Sequence, residues 1–168
     1  LENHKKIKKL ALKGEVNTFS GIMFNHESEF RNRNYLVMKI ISSVKKILSD
    51  PNERLALGSL EYIRDWTYAS DTVNAVYQVT TKGESFDYVI GSGKGNSIKD
   101  MVSYIFEYFD LDWNNYIEIN QDLLREGDPL RIVSDPSKLK NEFNWETKTT
   151  FHQMLDICIK GFNNLDSA

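Results

Sequence analysis

An α/β fold is predicted by three features of this 168-residue sequence. Short apolar runs rich in β-branched and aromatic residues alternate with longer segments whose apolar residues recur every three or four positions. Clusters of Gly, Pro, Asn and Asp punctuate the joins between them. One run, Ser20-Gly21-Ile22-Met23-Phe24, stops abruptly at the polar heptad Asn25-His26-Glu27-Ser28-Glu29-Phe30-Arg31. That places four polar side chains, Asn25 to Ser28, at the carboxyl edge of a predicted strand, where open α/β sheets hold ligands.

The elements follow in order. Glu2 to Lys13 reads as the end of a helix closed by Gly14, its lysines in the last turns where they suit the helix dipole. Val16 to Phe24 is predicted to be a largely buried strand. A chain that opens mid-element, without an N-cap, is expected to be part of something longer. After Asn34 comes an amphipathic helix, with Leu36, Val37, Ile40, Ile41, Val44, Ile47 and Leu48 on one face and Asp50-Pro51 at its end. Arg54 to Leu57 reads as a short strand followed by Gly58, and Arg64-Asp65-Trp66 as a connecting segment. Ser70 or Asp71 is expected to cap a helix running to about Thr81. Phe86 to Ile90 is then a strand, Gly91 to Gly95 a loop, Ser97 to Tyr108 a helix and Tyr116 to Ile119 a strand. Ile132-Val133 is a brief extended piece before Asp135-Pro136-Ser137-Lys138, where Asp135 caps a helix with proline at its first position. A last helix spans about Thr150 to Phe162.

Composition narrows the function. With 40% hydrophobic and 12% aromatic residues the chain suffices for one core, or one and a part. A net charge of −3 gives no general field to recruit nucleic acid or anionic membrane. The basic stretch His4 to Lys9 therefore reads as the solvated face of a helix. No apolar stretch approaches the ~18 residues of a membrane span. Cys158, alone, reads as a packed thiol in a reducing, cytoplasmic setting.

Two motifs mislead. Gly91-Ser92-Gly93-Lys94-Gly95 follows a strand and precedes a helix, but its third glycine comes one residue early for a dinucleotide loop. It also lacks the Gly-Lys-Ser/Thr end of a Walker loop, so it reads as structural, with Ser97 an ordinary N-cap. Tyr35 and Lys39 have the spacing of a Tyr-x-x-x-Lys catalytic pair, but they follow the strand that such a pair should precede. Tyr35 is rejected as a general base, and Lys39 kept for another role.

Cations are the stronger signal. Arginine forks pair with phosphate oxygens bidentately. Arg64, Arg125 and Lys39 together offer three positive charges to a diphosphate, provided the fold brings them together. Asp128, three residues after Arg125, is suited to the hydroxyls of a ribose.

In this order the residues resemble the carboxyl-terminal half of the extended short-chain dehydrogenases that modify nucleotide sugars, most closely the GDP-mannose 4,6-dehydratase family. The carriers are Gly21 to Ser28, Lys39-Ile40, Leu57-Gly58, Arg64-Asp65-Trp66, Asp87 to Ile90, Leu111-Asp112-Trp113, Arg125-x-x-Asp128, Asp135 to Lys138 and Trp145. The resemblance implies a substrate-binding domain joined to the last strand and helix of an otherwise missing Rossmann domain. Residues 1–24 would be that remnant, and 25–168 the nucleotide-sugar-binding domain. Asn25, Lys39, Gly58, Arg64, Arg125 and Asp128 would line the GDP-sugar site, with Arg64 and Arg125 on the diphosphate and Asp128 on the ribose. His26 and Arg31 would approach NADP. The reaction implied is NADP-dependent conversion of GDP-mannose, or a related GDP-sugar, to a GDP-4-keto-6-deoxy sugar by a cytoplasmic homo-oligomer. A nucleotide-sugar epimerase or reductase half, and a stand-alone nucleotide-binding or assembly module, are the alternatives.

Departures from the family pattern are informative. Glu29-Phe30-Arg31 replaces a proline and an arginine-rich stretch, Met38 stands where a cation is common, and Asp128 stands where glutamate is usual. The glycine-rich cofactor loop, the catalytic threonine and glutamate, and the Tyr-x-x-x-Lys pair all lie ahead of the matching region in the family. No catalytic residue or metal ligand is therefore assigned here, and the chain by itself is expected to be inactive.

Overall fold

A computed structural model describes residues 2–14, 18–83 and 87–165 of the chain. The described residues form α1 (Glu2–Leu12), β1 (Ser20–Met23), β2 (Asn25–Glu27), α2 (Leu36–Ser49), β3 (Leu55–Leu57), β4 (Ile63–Tyr68), α3 (Ala69–Lys82) and β5 (Asp87–Ile90). They continue through β6 (Gly95–Ser97), α4 (Ile98–Tyr108), β7 (Ile117–Ile119), β8 (Arg131–Ile132), α5 (Ser137–Phe143) and α6 (Phe151–Leu165). The predicted α/β class is what the chain adopts.

β4 organises the sheet. Its second half pairs in parallel with β2, Asn25 opposite Trp66 and Glu27 opposite Tyr68. Its first half is flanked by antiparallel β6 and parallel β8. Arg64-Asp65-Trp66 is thus strand, not connection. The motif's charges hid a run that is buried from Asp65 to Thr67. A buried carboxylate is tolerated there because the Gly91–Gly95 segment wraps it. Asp65 accepts the backbone N–H groups of Ser92 and Gly93, both at 3.0 Å, and the Ser92 hydroxyl. The glycine loop is structural, as its spacing indicated, although Gly95 already belongs to β6.

The polar heptad departs from expectation. β1 pairs in parallel with β5, and the Phe24 N–H still reaches Ile90 O at 2.9 Å. The chain then switches sheets, and Asn25-His26-Glu27 is itself a strand against β4. The expected start at Val16 lies outside the described residues. β1 is also not largely buried. Gly21, Ile22 and Met23 are exposed because β5 is its only strand partner among the described residues.

Two apolar clusters hold the elements. Val37, Ile40, Ile41 and Val44 of α2 are fully buried against Ile105 and Phe106 of α4, Cys158 and Ile159 of α6, and Trp66. Each such side chain contributes about 1.5–3 kcal/mol on burial. Met38 is 2% exposed in this core, so the position beside Lys39 is an apolar packing site here. The second cluster joins Ala75, Val79, Tyr88, Ile90, Leu139 and Trp145. α1 has no buried residue, as its basic face required. Burial, with Glu27 and Glu29 nearby, pushes the Cys158 thiol up to about 12, so it is an inert packed group.

Caps were read with mixed success. Ser97 and Asp100 form a reciprocal capping box at the start of α4. Asp135 accepts the Ser137 N–H at 3.0 Å, with Pro136 at the start of α5. At α3 the helix begins at Ala69 without a side-chain cap, and the buried Asp71 instead accepts the Thr149 N–H at 2.9 Å.

Candidate functional site

A cleft of about 720 Å³ opens beside β2 and the Arg64–Trp66 stretch of β4. Asn25, His26, Arg31, Lys39, Gly58, Arg64, Arg125 and Asp128 all line it. Residues spread over a hundred positions of sequence meet because β2 and β4 are neighbours. α2 follows β2, and the segment after β7 folds back over Gly58. Four cationic side chains, Arg31, Lys39, Arg64 and Arg125, therefore share one cavity.

Their states differ. Arg64 is nearly buried, with 14% of its side chain exposed, and lies beside the Tyr62 ring. Its Nη2 sits 2.8 Å from Asp128 Oδ1, while Nη1 donates to Ile63 O at 2.8 Å and Leu130 O at 3.3 Å. Its Nε–H and one Nη2–H have no hydrogen bond among the described residues. Strand alternation puts Arg64 and Trp66 on one face and Asp65 on the other, so only the first two line the cavity. Lys39 donates to Ala56 O at 2.9 Å, which holds its ammonium against β3 with donors to spare. The Arg125 guanidinium is exposed and has no hydrogen bond or ion pair among the described residues. Tyr35, rejected as a base, is half exposed beneath the Arg31 guanidinium, whose carbon lies 3.7 Å from the ring centroid.

Gly58 acts through the space it leaves. A Cβ there would stand 3.2 Å from the carbonyl carbon and oxygen of Leu123 and from Leu124 Cδ2. A side chain would push away the 3₁₀ turn Gln121–Leu123, and with it Arg125.

At the other end of the cleft, Glu27 is 5% exposed. Its Oε2 lies 3.5 Å from Arg31 Nε, too far for a hydrogen bond, and both atoms lack a hydrogen-bond partner. Burial raises the Glu27 carboxyl above its usual range, partly offset by Arg31 and His26. His26 Nδ1 lies 3.0 Å from Phe24 O. A carbonyl only accepts, so the proton is on Nδ1 and Nε2 remains as the free ring nitrogen. Sequence reasoning passed over Glu27 and Tyr62. The period-2 rule applied to β2 would have paired Glu27 with Asn25, but no strand was read there.

Comparisons with known proteins identify the family. Residues 4–158 match the family described as GDP-mannose 4,6 dehydratase. The chain belongs to that family. It is 32% identical over 158 residues to the GDP-mannose 4,6 dehydratase of Drosophila melanogaster, covering 84% of this chain and 40% of the relative. It is 30% identical over 140 residues to GDP-mannose 4,6 dehydratase 2 of Arabidopsis thaliana, covering 83% and 38%. The chain thus spans about 40% of the length of these members of the GDP-mannose 4,6-dehydratase family. Solved structures share the fold at lower identity. A dTDP-glucose 4,6-dehydratase from Bacillus anthracis in complex with NAD superposes with a TM-score of 0.80 at 22% identity, over 93% of this chain and 48% of that one. A Thermotoga maritima UDP-glucose 4-epimerase with UDP-glucose gives 0.83 at 19%, over 98% and 52%. The fold is that of the extended short-chain dehydrogenases. Among the described residues no helix is long and apolar enough to cross a membrane, and no group of three His, Cys, Asp or Glu is placed to hold a metal.

Proposed function

We propose that this chain supplies the nucleotide-sugar side of a GDP-mannose 4,6-dehydratase-like active site. The observation that carries the reading is the convergence of Lys39, Arg64 and Arg125, with Asn25, Gly58 and Asp128, on one cleft. Arg64 offers N–H groups on a side chain held by Asp128, Lys39 a held ammonium and Arg125 an exposed fork. A diphosphate is the ligand that uses all three. Asn25 offers an amide to the hexose. In this reading residues 1–24 belong with a cofactor domain, to which β1 contributes an edge, and residues 25–168 bind GDP-mannose or a related GDP-sugar.

The donor set suits one wall of an NADP site. His26 has no hydrogen bond at Nε2 among the described residues, and Arg31 carries a buried Nε with no hydrogen-bond partner, 3.5 Å from Glu27 Oε2. These two residues would face the cofactor, and nothing else in the chain is assigned to it. When bound, the cofactor supplies hydride transfer. The chain's own residues hold the diphosphate and orient the sugar, and turnover depends on a catalytic base supplied elsewhere.

Joining the chain to the preceding portion of its gene tests this. The expected result is NADP-dependent loss of GDP-mannose with a 4-keto-6-deoxy product, abolished by Arg64→Ala together with Arg125→Ala. No turnover of any GDP-hexose by the joined protein would overturn it. An epimerized or reduced product would instead assign an epimerase or reductase. Micromolar binding of GDP by the chain alone, with no turnover in the joined protein, would mark a binding module.

A further inference from the structure

Resting on the reading of Arg31 as a cofactor-facing residue, we infer that Glu27 and Tyr35 are positioning residues for its guanidinium. Between them they aim its outer edge, the two Nη groups, at a phosphoryl group. Glu27 lines the cleft with only 6% of its side chain exposed, and its Oε2 lies 3.5 Å from Arg31 Nε. Both atoms are buried and neither has a hydrogen-bond partner. The Nε edge is therefore not what Arg31 presents to a ligand. Glu27 holds that edge by charge alone, and a pair shielded from water attracts more strongly than one on the surface.

Tyr35 takes a second side. The Arg31 guanidinium carbon lies 3.7 Å from the Tyr35 ring centroid, within the range of a cation held over an aromatic face. A planar group gripped along its Nε edge and over one face keeps one edge free. Neither Nη group makes a hydrogen bond among the described residues. That edge is the two-nitrogen fork that fits phosphate oxygens.

The backbone supports the same arrangement. The Arg31 N–H donates to Ser28 O and the Tyr35 N–H to Asn32 O, both at 3.0 Å, so two successive turns bring residue 35 beneath residue 31. The segment is fastened to α6 and β4 through Glu29. Any Cβ at Gly161 would overlap the Glu29 Cβ, and the Tyr68 hydroxyl donates to Glu29 Oε2 at 3.2 Å. Tyr35, whose spacing to Lys39 imitates a catalytic pair, thus acts as a platform. Its ring matters here and its hydroxyl does not.

Two roles for Glu27 predict opposite effects on an anion. A carboxylate that merely sits near the cleft repels phosphate, so its neutralisation leaves binding unchanged or tightens it. A carboxylate that aims Arg31 weakens phosphate binding when it is lost.

The test is a nuclear magnetic resonance titration of the 168-residue chain with inorganic phosphate and, separately, with pyrophosphate. The signals followed are the Nε–H groups of Arg31 and Arg64. In the parent chain, phosphate should shift the Arg31 signal saturably. Glu27→Gln and Tyr35→Leu should each weaken the phosphate affinity read at Arg31 by about threefold or more. Tyr35→Phe keeps the ring and should stay within about twofold of the parent. Pyrophosphate affinity read at Arg64 should be the same in every variant, which a general loss of structure would not allow. Unchanged or tighter phosphate binding in Glu27→Gln would overturn the role of Glu27. Equal damage from Tyr35→Phe and Tyr35→Leu would overturn the platform. Tyr35 is half exposed, so its two variants decide the matter alone if Glu27→Gln fails to fold. If phosphate leaves Arg31 unmoved while pyrophosphate shifts Arg64, this inference falls and the diphosphate reading stands. If neither signal moves in the parent chain, both fall.

Discussion

The buried carboxylate of Asp65 takes hydrogen bonds from both the backbone N–H of Ser134, at 3.2 Å, and the Ser134 hydroxyl. Ser92 engages it in the same double manner from the other side. One side chain on β4 thereby joins the glycine loop to the segment entering α5. Asp65→Ala would strand these donors in a dry site, each at a cost of about 1–3 kcal/mol. The expected loss is more than about 3 kcal/mol in urea unfolding. A loss under about 1 kcal/mol would refute the knot.

Gly91 borders that knot. A Cβ at Gly91 would lie 2.7 Å from Ser134 Cβ and 2.9 Å from Asp65 Oδ2. Neither neighbour can move without breaking the network. Gly91→Ala should therefore destabilise by about 1–3 kcal/mol, the usual range for overpacking. A melting temperature equal to that of the parent chain would show that the segment has slack.

The two arginines should separate under mutation. Arg125→Ala removes an exposed guanidinium with no partner among the described residues, so stability should change by less than about 0.5 kcal/mol. Diphosphate affinity should nonetheless fall by about tenfold or more. Arg64→Ala should lower both, since it also frees Asp128 and Leu130 O. Equal effects on stability would contradict the division into a paired and an exposed cation.

Glu27 makes a pH-dependent contribution. Below its ordinary value of 4.5 the carboxyl is protonated in both folded and unfolded chains and the contribution is nil. As pH rises from there through the raised folded value, the unfolded chain gives up its proton first, so folding stability is lost. Above that window the loss is constant. Glu27→Gln escapes it, and the stability difference between variant and parent should grow over the same window. A difference that is flat with pH, measured by urea unfolding between acid and neutral solution, would show that Arg31 compensates the burial in full.

β1 presents an unpaired strand edge among the described residues, with Ile22 46% and Met23 53% exposed. Such edges pair with other chains. Light scattering should detect concentration-dependent association, and Ile22→Lys should suppress it. A parent chain that stays monomeric at high concentration would refute the expectation.

Legibility varied with the kind of signal. α2 and α4 were readable because their apolar stripes and terminal residues repeat over many positions, so local pattern and tertiary packing agree. β4 was not. Arg64 and Asp65 are charged, and hydrophobic periodicity has no term for a carboxylate satisfied by serines 27 and 69 residues away. β2 was missed for a related reason. Three polar residues become a strand only because β4 lies alongside, and strand pairing is a non-local event.

The sequence by itself determined the alternation of helices and strands, the structural nature of the glycine loop, the inert thiol and the set of charges from which a site could be built. These depend on period, composition and neighbours within a few residues. Only the tertiary structure decided that Lys39, Arg64 and Arg125 share a cleft, that Asp128 pairs with Arg64, and that Glu27 is buried beside Arg31. Hydrogen bonds and ion pairs act over a few ångströms whatever the sequence separation, so their partners emerge only when strand pairing has brought distant segments into contact.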